Sequence, residues 1–75
     1  MSVAREAMRV TFYRDDSARS SKVQAALDAR NIMYTVIKRP MGSMGLPAIL
    51  IGAEVIRGTT NILLEIKRIA ELAGR

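Results

Sequence analysis

Hydrophobic and polar positions alternate along this chain in short blocks. Arg9 to Tyr13 reads Arg-Val-Thr-Phe-Tyr, a β-branched and aromatic run that predicts a strand. It stops at Arg14-Asp15-Asp16-Ser17, a polar cluster rich in helix-capping residues. From there to about Arg30 a helix is expected, because Val23, Ala26 and Leu27 recur at the i, i+3, i+4 spacing of one buried face. Lys22, Gln24 and Asp28 fall largely on the other faces, and Asn31 is read as the helix stop. Met33 to Ile37 predicts a second strand, and two strands joined by such a helix make a right-handed βαβ unit with parallel strands.

The stretch Lys38 to Gly45 is the least regular, broken by Pro40, Gly42 and Gly45. Pro47 precedes a short apolar strand, Ala48 to Ile51; Gly52-Ala53 turns the chain, and Glu54 to Arg57 returns as the other arm of a hairpin. Gly58-Thr59-Thr60 leads into a last helix with Thr59 or Thr60 as N-cap. Ile62, Leu63, Ile66, Ile69, Ala70 and Ala73 form its buried stripe, and Gly74 suits its end. The order is β-α-β-β-β-α, with helices expected at about 17–30 and 60–73 and a four-stranded mixed sheet. Residues 1–8 are expected to be a loose terminus and 9–75 a single domain without repeat or linker.

Composition narrows the chemistry. A domain of 75 residues has a small core, and nineteen Ile, Leu and Val against only Phe12, Tyr13 and Tyr34 make that core aliphatic. The chain has no cysteine and no histidine, which excludes a disulfide scaffold, a thiol nucleophile, a zinc finger and a Ser-His triad. Its formal charge of +5 favours polyanions in general. The basic residues are scattered, however, and no aromatics interleave with them as a base-stacking surface needs, so nucleic-acid binding ranks below a solvated basic surface. No apolar stretch approaches the ~20 residues of a membrane span, and a cytoplasmic protein is expected.

The element order, with a proline opening the third strand, resembles the glutaredoxins of the thioredoxin superfamily over roughly residues 9–72. Where that family carries Cys-x-x-Cys, this chain has Ser17-Ala18-Arg19-Ser20. Its cis-proline motif looks like Gly45-Leu46-Pro47, and its Gly-Gly-x-Asp-Asp looks like Arg57-Gly58-Thr59-Thr60-Asn61. The resemblance implies a thioredoxin fold, a cis Leu46–Pro47 bond and a glutathione site. In that site Arg14 holds a carboxylate, the Leu46 backbone pairs with the ligand, and Thr59 and Thr60 after Gly58 offer N–H groups. The departures are as informative. Both redox positions are serines, and thiol-disulfide exchange needs a thiolate. Thr60 or Asn61 replaces the family's aspartate, so one charge pair with glutathione is lost. The nine residues from Lys38 to Leu46 stand where the family places a longer segment with a helix.

Ser17 and Ser20 therefore carry more than one reading. Ser17, or Asp16 before it, caps the helix and Ser20 lies in its first turn; or the helix N-terminus presents N–H groups to an anion. A third reading is that the serines stand in for redox cysteines. No catalytic residue is assigned, and glutathione remains only a candidate ligand. The missing helix implies an uncovered sheet face, since strand 48–51 is apolar on both alternating sides and Tyr13 points opposite to Phe12. The expected role is a redox-inactive module that binds a partner protein or itself through that face, with a dimer favoured. Met41 and Met44 folding over the face is the monomer alternative. The rival readings are a glutathione-dependent oxidoreductase in cysteine-to-serine form and a basic anion or nucleic-acid binder.

Overall fold

The computed structural model describes residues 8–40 and 44–74. The elements are β1 (Val10–Arg14), α1 (Ala18–Ala29), β2 (Thr35–Lys38), β3 (Ala48–Ile51), β4 (Glu54–Arg57) and α2 (Thr59–Ala73). The expected loose terminus lies, but for Met8, outside the described residues, as does Met41. The sheet runs β2-β1-β3-β4, with β1 parallel to β2 and antiparallel to β3, and β3 antiparallel to β4. This is an α/β fold with a four-stranded mixed sheet and two helices in the order expected from the sequence.

Pairing register divides the sheet into two faces. Phe12 lies opposite Val36 and Ile49, and Ile49 opposite Ile56, so these side chains share one face with Val10 and Ile51. Val10, Phe12, Ile49, Ile51 and Ile56 of that face form a single buried cluster with Val23 and Leu27 of α1 and Ile62 and Ile69 of α2, while Val36 on the edge strand stays 42% exposed. Both helices therefore cover the same side. Tyr34 closes its edge, packing edge-on to Phe12 with ring centroids 5.9 Å apart and donating its hydroxyl to Asp28 Oδ1 at 2.7 Å.

The end of α1 shows why the chain turns where it does. Asn31 adopts φ 56°, a left-handed conformation that Asn tolerates better than most residues. Its N–H donates to the Asp28 carbonyl at 3.0 Å and that of Ile32 to the Leu27 carbonyl at 3.1 Å, the paired bonds of a Schellman motif. Ile32 and Leu27 are both buried in the core, which supplies the motif's usual apolar contact.

β1 is shifted by one residue from the expected Arg9–Tyr13 and β2 ends one residue later than expected, and two further boundaries differ for reasons the structure shows. The second strand begins at Thr35 rather than Met33, because pairing with β1 starts at Thr11↔Thr35 and Met33, just past the helix-ending turn, is 88% exposed. The cap of α2 is Gly58, not Thr59 or Thr60. Its φ of 92° suits glycine, its N–H donates to the Pro47 carbonyl at 2.9 Å, and its carbonyl accepts from Ile62 at 3.0 Å. Among the described residues no helix is long and apolar enough to cross a membrane.

The single core predicts a sharp contrast within one turn of α2. Ile62 is fully buried and Leu64 is 78% exposed. Ile62→Ala is expected to lower the stability in urea by about 2–5 kcal/mol. Leu64→Ala is expected to stay within about 0.5 kcal/mol of the parent.

Candidate functional site

Register brings the sequence-predicted residues to one end of the sheet. Tyr13 pairs with Ala48 and Ala48 with Arg57, so the end of β1, the start of β3 and the end of β4 lie side by side. Arg14, Pro47 and Gly58 follow or precede these positions directly, and both helices start at this end. Two groups of contacts are built there.

The first surrounds the N-terminus of α1. Ser17 is the N-cap, accepting the Ser20 N–H on its Oγ at 3.3 Å. Ser20 is fully buried; its hydroxyl donates to Asp15 Oδ1 at 2.9 Å and accepts the Asp15 N–H at 3.2 Å. The Ser17 N–H donates to the same carboxylate oxygen at 3.0 Å, and the Ser17 and Ser20 oxygens lie 3.4 Å apart. These donors hold the Asp15 carboxyl down at about 2, through hydrogen bonds from the Ser17 side chain and backbone first and from Ser20 next. The chain thus places its own carboxylate at this helix terminus, where the dipole favours negative charge.

Arg14 belongs to the same group. Its guanidinium donates to Gln24 Oε1, to Ser21 Oγ at 3.2 Å and, through Nε, to the Asp15 carbonyl at 2.9 Å. These bonds lash β1 to α1. Asp16, beside it, bridges Lys38 of β2 at 3.0 Å on the exposed surface.

The second group joins the loop before β3 to the start of α2. The Leu46–Pro47 peptide bond is cis. Pro47 is fully buried, its carbonyl holds the Gly58 N–H, and Asn61 Nδ2 donates to the Arg57 carbonyl at 2.9 Å. Thr59 Oγ1 is buried with no hydrogen-bond partner among the described residues, and Gly58 provides no side-chain cap. Thr60 is exposed and Leu46 half-buried. Among the described residues no group of three acidic side chains could hold a metal ion.

The sheet face opposite the core completes the picture. Thr11, Tyr13, Thr35, Ile37, Ala48, Leu50, Val55 and Arg57 share this side by register, and both helices lie on the other. Tyr13, Ile37 and Leu50 are half-buried among their neighbours and Val55 is 49% exposed. Met44 stands at the rim of this face beside Tyr13, Leu46 and Leu50 and is itself 96% exposed, and Met41, the other methionine of the monomer alternative, lies outside the described residues. Arg39 sets its guanidinium 5.9 Å from the Tyr13 ring centroid, within cation–π range.

Sequence reasoning did not single out Asp15 as the carboxylate of the cap, although an aspartate two residues before a serine is a recognised local turn signal. Nor did it find the Arg39–Tyr13 pair, which exists only because the parallel register carries Arg39 past the end of β1. Comparison with protein-family models, with curated proteins and with solved structures finds no match to this chain.

Because the Asp15 carboxyl is held below its ordinary 3.8, it favours the native state fully above that value. The contribution is lost as pH falls through about 2. Asp15→Asn keeps an acceptor oxygen but not the charge. Urea unfolding across that acid window is expected to show a steeper loss of stability in the parent than in the variant.

Proposed function

We propose that this chain is a cytoplasmic, redox-inactive glutaredoxin-like module of the thioredoxin fold that works by binding, through its open sheet face, a partner protein or a second copy of itself. One observation carries the reading: both helices sit on one side of the sheet, leaving Tyr13, Ile37, Leu50 and Val55 without a covering layer among the described residues. Large exposed apolar patches on small domains usually mark contacts. The strand order and the cis Leu46–Pro47 bond agree with the fold the sequence resembles.

The absence of sulfur nucleophiles supports a non-redox role. A serine hydroxyl forms no disulfide, and the Ser20 hydroxyl is spent on Asp15. Glutathione stays a weaker candidate, because the Arg14 donors that would hold its carboxylate are engaged with Gln24, Ser21 and the Asp15 carbonyl. One specific observation favours the second reading, an oxidoreductase in cysteine-to-serine form: the Ser17 and Ser20 oxygens face each other at 3.4 Å across the first turn of α1.

Two measurements test these readings. The purified chain is expected to give no glutathione-dependent disulfide reduction above background; persistent turnover would contradict a redox-inactive module. An environment-sensitive apolar dye is expected to fluoresce with the native chain and to lose most of that signal in a Leu50→Asn, Val55→Asn double variant. An unchanged signal in the variant would remove the open face as the binding surface.

A further inference from the structure

The described carboxylates all lie away from the open sheet face, whereas cations occur on both sides. On the helix side, Asp15 is held by Ser17 and Ser20, Asp16 bridges Lys38, and Asp28 accepts from Tyr34. Glu54 and Glu65 both pair with Arg68 of α2, at 2.6 and 2.5 Å. Glu71, the remaining acidic residue described, lies on α2 as well. The open face has no carboxylate among the described residues. Its charged groups are Arg39 over the Tyr13 ring and Arg57 on the edge strand. No described carboxylate lies within ion-pair distance of either arginine.

The centre of this face also has shape. A notch of about 280 Å³ lies between Tyr13, Ala48, Leu50, Val55 and Arg57, with the loop residues Met44 to Leu46 at its rim. That volume is room for one large apolar side chain. An apolar anchor in a notch, ringed by charge, is the usual anatomy of a protein-docking hot spot.

These facts decide between the occupants left open by the functional reading. Two copies meeting face to face would bring together arginines with no carboxylate on either surface to pair them, which is unfavourable in a partly desolvated contact. Nucleic acid would find cations but only one aromatic ring, Tyr13, on which to stack, among aliphatic side chains that gain nothing from a base. We propose that the open face docks an acidic segment of a partner protein, which seats one large apolar side chain in the Tyr13–Leu50–Val55 notch and sets carboxylates against Arg39 and Arg57. This rests on the reading of that face as a docking surface.

The test is selection of a displayed library of random sixteen-residue peptides on the intact chain, followed by amide shift mapping of the strongest binders. Enriched peptides are expected to carry a large apolar residue flanked by Asp or Glu. They should shift Thr11, Tyr13, Leu50 and Val55, and bind more weakly as salt rises. Arg39→Glu with Arg57→Glu should weaken them by about tenfold or more, the cost expected when close charge pairs are reversed. Lys22→Glu with Lys67→Glu, on the exposed sides of the two helices, makes the same change in net charge away from the face and should have a much smaller effect. Equal losses in the two double variants would reduce the effect to net charge and overturn the proposal. Enrichment of neutral or basic peptides on the face, a self-associated chain that excludes peptide, or a thymidine oligonucleotide that outcompetes the peptides there would also overturn it, leaving the face as a docking surface for another occupant. Peptides that shift only α1 and α2, with no self-association, would overturn both the proposal and the docking face beneath it.

Discussion

The fold depends on a single aliphatic layer. Val10 and Phe12 of β1 and Ile49 and Ile51 of β3 bury against Val23, Leu27, Ile62 and Ile69, and these contacts hold the two central strands, both helices and the pairing register in place. A chain of 75 residues has apolar side chains enough for one such layer and little more. The two helices are spent on one side of the sheet. The other side is left with the alternate residues of the same strands, which register fixes there whether or not anything covers them.

That one-sidedness shapes both candidate regions. At the end where strands stop and helices begin, polar groups are used inward: Arg14 ties β1 to α1, Ser17 caps the helix, and Asp15 accepts from Ser17 and Ser20. This region looks reactive from the sequence, yet much of its hydrogen bonding is internal. The open face is the reverse. Its arginines are not matched by carboxylates on the same face, and its apolar side chains meet no second layer among the described residues.

Much of this was legible in the sequence because it is local. The spacing of Val23 and Leu27, the serine ahead of α1, the Gly52-Ala53 turn and the stripe from Ile62 to Ile69 each follow from short-range rules. The open face was legible for a similar reason, since Ala-Ile-Leu-Ile is apolar at both parities. What escaped depends on tertiary register. The start of β2 is set by where β1 can pair, two residues beyond Met33, and the α2 cap falls to Gly58 because its N–H is drawn to Pro47. The one-sided placing of the described carboxylates escaped for the same reason. Glu54 lies next to Val55 in sequence, but strand alternation sends it to Arg68 on the helix side and Val55 to the other.

The central claim is that one sheet face is core and the other is open. Methyl relaxation in the presence of a soluble, uncharged gadolinium chelate tests it most directly. Val55, Leu50 and Ile37 methyls should relax strongly as chelate is added, while those of Ile49, Ile62 and Ile69 should stay protected. Equal protection of both sets in the dilute, isolated chain would show that the second face is covered, and would contradict the account.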